Sequence, residues 1–538
     1  MVFITLCLLA LARVVSGVPP RVIFFVMGDD IGNGMVGFTR GSPVAHGGPG
    51  GGSFTPHLDS LAAEGLVLDN AMAAFWCTPS RSSFLSGRLP VHVQMGQDFP
   101  ETPSAGMPRG MGSLAAKLQA AGYSTHAIGK WDLGIATPGH TPRGRGFNSS
   151  LVYFEHMNEQ YTQKIFPGGT ACTLYNPTIT DLWDGNGPAT GLNGTGFLEL
   201  LHRDRLMSLL ADWDPVSGPN LFIYYAPHVA HYPLQVPQDW LERYGPDLVP
   251  DDEGACNATV PYVYPGAPPG QGMRCRAQGA ALIGMLDEIV GNATALLKAK
   301  GVWQDTFFAL QSDNGAPLDT AEAGGGNFPL RGGKYSSWQG GLQTPALVSG
   351  GVLPAARRGQ REGGLLHIAD WWATLIGLAG GDPSDAPAAA AGLPPVDSLD
   401  MWPLLSGAAP GSPRQEVPVD PSTLVVYPWK LLRGPQWWSG WQGPQYPNAS
   451  SPQRSPNVWH LCGTGCLYNL ASDPTESQDV AALHPQLVSN MSARLDVLAQ
   501  GFFSNQDKGV DACPNGTQLC GCWAAVNTWG GYLGPYQV

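Results

Sequence analysis

Two hydrophobic periods alternate along the first 350 residues. Short unbroken apolar runs, such as Arg-Val-Ile-Phe-Phe-Val-Met from Arg21 to Met27, have the length and composition of strands buried on both faces. Similar runs occupy Tyr123 to Ile128, Asn220 to Ala226, Thr306 to Gln311 and Leu342 to Ser349. Between them, apolar residues recur every three or four positions. Thr55-Pro56 opens a helix carrying Leu58, Leu61 and Leu66, and Met111 to Ala121 forms another that Gly122 closes. Gly196 to Trp213 carries the stripe Leu198, Leu201, Leu206, Leu209 and Leu210, and Ala277 to Lys300 is a long apolar helix. Strands and helices in alternation predict an α/β fold. The Ala/Pro-rich stretch Pro383 to Pro395 reads as an exposed connector. Beyond about Pro410 the texture turns to Trp-rich strands and short turns, including Val425 to Leu432 and Val458 to Leu470, so residues 18–409 are expected to form the main domain and 410–538 a smaller one.

Polar residues stand where the predicted strands stop. Asp29-Asp30 follows the first run, Lys130-Trp-Asp132 the second, His228-Val-Ala-His231 the third and Asp313-Asn314 the fourth; Arg331-Gly-Gly-Lys334 precedes the fifth. Each alone is ordinary turn chemistry or a solvated charge. Ligand sites of open α/β sheets gather at the carboxyl ends of the strands, so five such clusters together favour one assembled site.

The most informative stretch is Cys77-Thr-Pro-Ser-Arg-Ser-Ser-Phe-Leu-Ser-Gly-Arg88. Pro79 suits the first residue of a helix and Gly87 its stop, which places Cys77 at the positive, anion-attracting end. A lone cysteine in such a place is otherwise a buried or disulfide-bonded residue.

Composition narrows the setting. A chain of 538 residues with 43% hydrophobic content is neither disordered nor short of core, and 71 Gly with 49 Pro make it rich in loops. The apolar run Val2 to Leu11 is too short to span a bilayer; followed by Val15-Ser16-Gly17, it reads as a secretory signal peptide, residues 1–17. No further anchor is expected, and the destination is the secretory pathway, extracellular or lysosomal. Apart from Cys7 and Cys77, eight cysteines remain, an even number suited to disulfides. Cys462-Gly-Thr-Gly-Cys466 looks like a tight local loop, and a zinc site there lacks a second Cys/His pair. Sequons at Asn148, Asn193, Asn257, Asn292, Asn448, Asn490 and Asn515 fit a glycoprotein. A net charge of −13 argues against nucleic acid and against broad capture of polyanions.

Cys-x-Pro-Ser-Arg followed by Leu-Ser-Gly-Arg resembles the signature of the type I sulfatases. Asp29-Asp30, Gly-Lys130-Trp, His231-Tyr-Pro-Leu, Asp313-Asn314-Gly and Pro-Leu-Arg-Gly-Gly-Lys334 stand in that family's order from Val22 to about Ala481. The details look closest to the arylsulfatase B, or N-acetylgalactosamine-4-sulfatase, branch. The resemblance implies an alkaline-phosphatase-like fold, with a large mixed β-sheet between helices and a small antiparallel C-terminal domain. It implies that a formylglycine-generating enzyme oxidises Cys77 to Cα-formylglycine, whose hydrate attacks the sulfur of a sulfate monoester, an aryl sulfate or a sulfated sugar. By the same resemblance Asp29, Asp30, Asp313, Asn314 and the modified Cys77 would bind one calcium ion, and Arg81 would hold the nucleophile. Lys130 and Lys334 would neutralise the sulfate oxygens, while His231 or Lys334 would protonate the departing alcohol.

One departure matters. The family motif reads Gly-Lys-Trp-His-Leu-Gly, and this chain has Asp132 at the histidine position, which in the family accepts the proton of the second hydroxyl. Either Asp132 substitutes directly, or a neighbour such as His126 or His140 takes over. His57, where the family commonly has asparagine, is a milder departure. Arg143 and Arg145 are read either as pocket residues for a sugar carboxylate or second sulfate, or as loop residues. The competing functions are a phosphate or phosphonate ester hydrolase of the same superfamily, and a secreted sulfated-glycan-binding protein impaired by Asp132.

Overall fold

The computed structural model describes residues 18–39, 53–96, 106–165, 172, 176, 178–243, 275–318, 325–442, 458–503 and 520–537. The signal peptide, most of the Gly-rich stretch 41–53, the cysteines Cys7, Cys256 and Cys513 and the sequons at Asn257, Asn448 and Asn515 lie outside the described residues.

A ten-stranded mixed sheet organises the molecule. In chain order its strands are β1 (Val22–Gly28), β2 (Leu66–Leu68), β3 (Tyr123–Lys130), β4 (Ser149–Tyr153), β5 (Trp183–Asp184), β6 (Gly187–Pro188), β7 (Asn220–Ala226), β8 (Thr306–Ser312), β9 (Ala346–Ser349) and β10 (Gln360–Glu362). Their spatial order is β10-β2-β9-β8-β1-β7-β3-β4-β5-β6. The central strands run parallel, with Phe24 opposite Ile223 on one side and Phe308 on the other. The short strand β9 turns antiparallel against β8, so its start lies at the edge where β1, β3, β7 and β8 end.

The unbroken apolar run of β1 is explained by helices on both faces. Ile23, Phe25 and Met27 pack with Phe84 and Leu85 of helix α2 (Cys77–Ser86) and with Trp371 and Trp372 of α5 (Trp371–Leu378). Val22, Phe24 and Val26 pack on the other face with Leu58 of α1 (Pro56–Ala63), Leu206 of α3 (Leu198–Asp212) and Leu286 of α4 (Cys275–Ala299). Helix α4 is apolar and long enough to cross a membrane, but 72% of its most apolar window is buried inside the fold, as in the core helix of a globular protein.

A second, four-stranded antiparallel sheet contains β11 (Glu416–Asp420), β12 (Thr423–Val426), β13 (Trp429–Leu432) and β14 (Cys466–Asn469). It packs Leu424, Leu431 and Leu467 against Met491 and Leu495 of α6 (Pro485–Ala499). The strands and short turns expected over Val425 to Leu432 take the form of a hairpin: Tyr427-Pro428 breaks the ladder, because proline has no amide hydrogen to donate. The last helix, Cys520–Asn527, joins the core of the large sheet, where Cys522 is disulfide-bonded to Cys172. Cys462 and Cys466 form the expected tight loop as a disulfide, which leaves no thiolates for zinc there. The asparagines of the described sequons, Asn148, Asn193, Asn292 and Asn490, are all exposed.

Candidate active site

Helix α2 begins two residues earlier than Pro79 suggests: Trp76 is extended, with φ −141°, and Cys77 is the first helical residue. The helix ends at Gly87, whose φ of +69° is the left-handed cap; a Cβ there would meet Trp372 at 2.5 Å. Every residue of α2 is buried, so the N-terminus, with its unsatisfied N–H groups, is driven into the interior beside the ends of β1, β3 and β8. Arg88 secures the far end through Asp385 at 2.9 Å and the Pro394 carbonyl at 2.7 Å.

The polar clusters at the strand ends converge on Cys77. Its thiol donates to Asp29 Oδ1 at 3.7 Å, and a ligand atom from each of Asp29, Asp30, Cys77 and His231 lies within 4.8 Å of the others. Lys130 Nζ donates to both oxygens of Asp29 at 3.1 Å. Lys334 Nζ donates to Asp30 Oδ2 at 2.8 Å and to His231 Nε2 at 3.0 Å. Arg81 binds Asp313 Oδ2 through Nε at 3.0 Å and a terminal nitrogen at 2.7 Å, and donates to the Lys130 carbonyl at 3.3 Å. Asp313 Oδ1 accepts the Asp30 backbone N–H at 3.2 Å. Asn314 donates to Asp30 Oδ1 at 2.6 Å, while its own Oδ1 is buried without a partner among the described residues.

Electrostatics follow from this packing. Burial works to raise the Asp29 carboxyl, but Lys130, His231 and Arg81 outweigh it and hold the group well below the ordinary range. Asp30 goes the other way: burial, reinforced by Asp29 and Asp313 and opposed by Lys334, pushes it up to about 7. Burial likewise drives the Cys77 thiol well above its usual value despite Lys130 and Lys334, so the unmodified side chain is a poor thiolate nucleophile. Burial, Lys334 and Lys130 depress His231 far below its usual value. His231 Nδ1 donates to the Tyr232 carbonyl at 2.7 Å, which leaves Nε2 as the acceptor facing Lys334.

The other sequence candidates are placed elsewhere. His126 lies between the hydroxyls of Ser124 and Ser149, at 2.9 and 2.7 Å. His140 is bound to Thr137 Oγ1 at 2.9 Å and caps a short turn. His57 sits at the start of α1, its backbone N–H on Asp287. Arg145 is buried and clamps the carbonyls of Met107 and Met111, and Arg143 donates to those of Phe147 and Asn148; both brace the local loop.

Asp132 is wholly buried beyond the end of β3, and its imidazole neighbour is one that no motif indicated: His156 Nδ1 lies 2.8 Å from Asp132 Oδ1. His156 follows β4, a strand absent from the sequence-based elements; a polar residue beyond a strand end is the signal that would have found it.

Comparison with known proteins agrees with this geometry. The profile of the family described as Sulfatase matches residues 21–381. The chain belongs to the sulfatase family, whose members are sulfate ester hydrolases. Similar relatives include arylsulfatase J of Mus musculus, 29% identical over 88% of this chain and 75% of that one. Arylsulfatase A of Homo sapiens is 31% identical over 77% and 73%, and N-acetylgalactosamine-6-sulfatase of Mus musculus 27% identical over 74% and 69%. Among solved structures, Ps i-CgsB in complex with k-i-k-neocarrahexaose superposes with a TM-score of 0.66 at 20% identity, covering 92% of this chain and 96% of that one. The phosphonate monoester hydrolase of Agrobacterium radiobacter shares the fold more distantly, with a TM-score of 0.53 at 16% identity over 90% and 96%. These matches establish the family without selecting a branch within it.

Proposed function

We propose that this protein hydrolyses sulfate monoesters, of aryl alcohols or sugars, with a formylglycine derived from Cys77 as nucleophile and one divalent cation beside it, and that residues 18–409, joined by the returning helix Cys520–Asn527, form the catalytic domain and the rest of 410–538 the smaller one. The carrying observation is the setting of Cys77: buried at a helix N-terminus and flanked by Lys130, Lys334 and three carboxylates, with a thiol too basic to act as it stands.

The donor set suits a hard cation. Asp29, Asp30, Asp313 and Asn314 offer oxygen, and the orphaned, buried Oδ1 of Asn314 is a polar atom that a cation would satisfy. Carboxylates and an amide favour calcium over zinc. Residue 77, once modified, would add a further oxygen. When present, the aldehyde hydrate and the cation together supply an activated hydroxyl at neutral pH.

The chain's own residues do the rest. Lys130 Nζ and Lys334 Nζ, bound to the two carboxylates grouped with Cys77, would bind sulfate oxygens as charge moves onto the leaving group. His231, neutral at Nε2, would align Lys334 so that a Nζ proton passes to the departing alcohol oxygen. Arg81 orients Asp313 and, 3.5 Å from Asp29, ties two carboxylates to the helix that carries residue 77. The secretory route and service by a formylglycine-generating enzyme belong to the same proposal, supported by the exposed sequons and the disulfides.

The test is expression with the modifying enzyme, mass analysis of the residue-77 peptide, and assay of sulfate release from an aryl sulfate. Conversion of Cys77 with sulfate release, both lost in Cys77→Ala, is the expected result. Converted protein that binds sulfate esters without releasing sulfate would overturn it.

A further inference from the structure

Asp132 has three features that a structural carboxylate does not need. It is completely buried; its backbone is in the left-handed region at φ +54°, uncommon for a non-glycine residue although aspartate enters it more readily than most; and its Oδ2 has no hydrogen-bond partner among the described residues. Asp30, in the Cys77 cluster, shares the buried left-handed conformation at φ +58°. Asp132 Oδ1 is meanwhile committed to His156.

His156 is itself fixed. The two residues before it, Phe154 and Glu155, donate their backbone N–H groups to the two carboxylate oxygens of Asp181, each at 2.8 Å. Asn158 donates to the Asp181 carbonyl at 2.9 Å. The segment after β4 is therefore pinned on both sides of the imidazole.

The charged and titratable groups facing Asp132 are His156 from this segment, Lys130 from β3, Arg81 from α2, and the hydroxyls of Tyr153 on β4 and Tyr224 on β7. Lys130, the last residue of β3 and two positions before Asp132, donates to the same Asp29 carboxylate that accepts from the Cys77 thiol, so Asp132 follows the strand end that borders residue 77. Burial raises the Asp132 carboxyl, but His156, Lys130 and Arg81 outweigh it, so the group is ionised and able to accept a proton.

We propose that Asp132 and His156 act as one proton acceptor for the step that frees sulfate, with Oδ2 of Asp132 taking the proton and His156, as a positioning residue, holding Oδ1. The inference rests on the formylglycine reading above. In that step the second hydroxyl on the residue-77 side-chain carbon loses its proton to Asp132 Oδ2. The O–H electron pair becomes the new C=O bond, and the carbon–oxygen bond to the bound sulfate breaks. Sulfate leaves as the dianion and the aldehyde returns. Charge balances: the singly negative sulfate ester and the carboxylate give a dianion and a neutral acid. The imidazole absent from position 132 is thus supplied from position 156, behind the carboxylate rather than in its place.

The test uses protein with converted residue 77, rapid quenching and a chromogenic aryl sulfate. In His156→Gln and Asp132→Asn the first equivalent of phenol should appear as in the parent, while sulfate release slows by about 10²–10⁴-fold in Asp132→Asn, which removes the acceptor, and by less in His156→Gln, which only loosens it. The quenched residue-77 peptide should then retain the mass of one sulfate. Loss of His156 also removes a group that lowers Asp132, so the acid limb of the pH–rate profile should move to higher pH in His156→Gln. A second readout needs no conversion: in histidine-labelled Cys77 protein, the Nδ1 proton resonance of His156 should shift in Asp132→Asn. The inference is overturned if His156→Gln and Asp132→Asn release sulfate at the parental rate, if the phenol burst and sulfate release fall together with the pH limb unmoved, or if the resonance is unchanged. Failure of the parent itself to release sulfate would instead sink the sulfatase reading.

Discussion

Arg81 joins the nucleophile helix to two carboxylates in the fully buried cluster, and Arg81→Met removes its charge while keeping most of its volume. Asp313 then keeps its buried position but loses the bonds at 3.0 and 2.7 Å, and Asp29 loses a cation 3.5 Å away. Breaking a buried pair from one side costs about 3–5 kcal/mol, because the remaining charge is uncompensated. With an unfolding entropy of about 2.1 cal/mol/K per residue, a chain of 538 residues loses about 1 °C for each kcal/mol, so the melting temperature should fall by about 3–5 °C. Chelator should be present throughout, so that a bound cation does not neutralise Asp313. Asp313→Asn alone should also destabilise, since it strands Arg81, but the double variant should be less destabilised than the sum by about 2–3 kcal/mol. Additivity within about 0.5 kcal/mol would refute the claim that the pair acts as a unit.

Two further outcomes follow from the same geometry. Calcium at a hundred times its dissociation constant should stabilise the protein by about 2.7 kcal/mol, seen as a rise in melting temperature that chelator reverses; in Asn314→Ala, which removes the orphaned oxygen, the response should shrink, and an undiminished response would exclude Asn314 as a ligand. His126 is lowered by burial to about 4 from 6.5, so the stability it contributes is fully present above pH 6.5 and is lost as pH falls toward 4. That loss is on the order of 3 kcal/mol and should be absent in His126→Gln, as read by denaturant titration across that pH range.

Much of the site was legible because its residues are tied to strand ends, and buried strands announce themselves as unbroken apolar runs. Asp29-Asp30, Lys130 and Asp313-Asn314 each follow such a run, and the structure brings them to Cys77 as the alternating pattern required. His156 escaped because β4, Ser-Ser-Leu-Val-Tyr, has only three apolar positions after two serines, too short a run to separate from a loop. The start of α2 was misplaced by two residues because Pro79 is tolerated anywhere in the first turn, where its missing N–H costs no hydrogen bond.

Charge bears on which sulfate esters the site can receive. Asp29, Asp30, Asp313 and the ionised Asp132 outnumber Lys130, Lys334 and Arg81 by one, so the inner cluster is about one charge negative before any divalent cation is added. A calcium ion would leave it about one charge positive, enough to match one singly charged sulfate ester at short range. The rest of the chain works against a polyanion, since its net charge is −13. That repulsion reaches about 30 Å at 0.01 M salt and only about 8 Å at 0.15 M. For a singly sulfated aryl substrate, kcat/KM should therefore change little over this range. For a multiply sulfated oligosaccharide it should rise with salt, because distant repulsion is screened while the buried contacts persist. A steep fall with salt for the oligosaccharide would mean that a basic surface outside the inner cluster captures it, and the preference for small or sparsely sulfated esters would have to be abandoned.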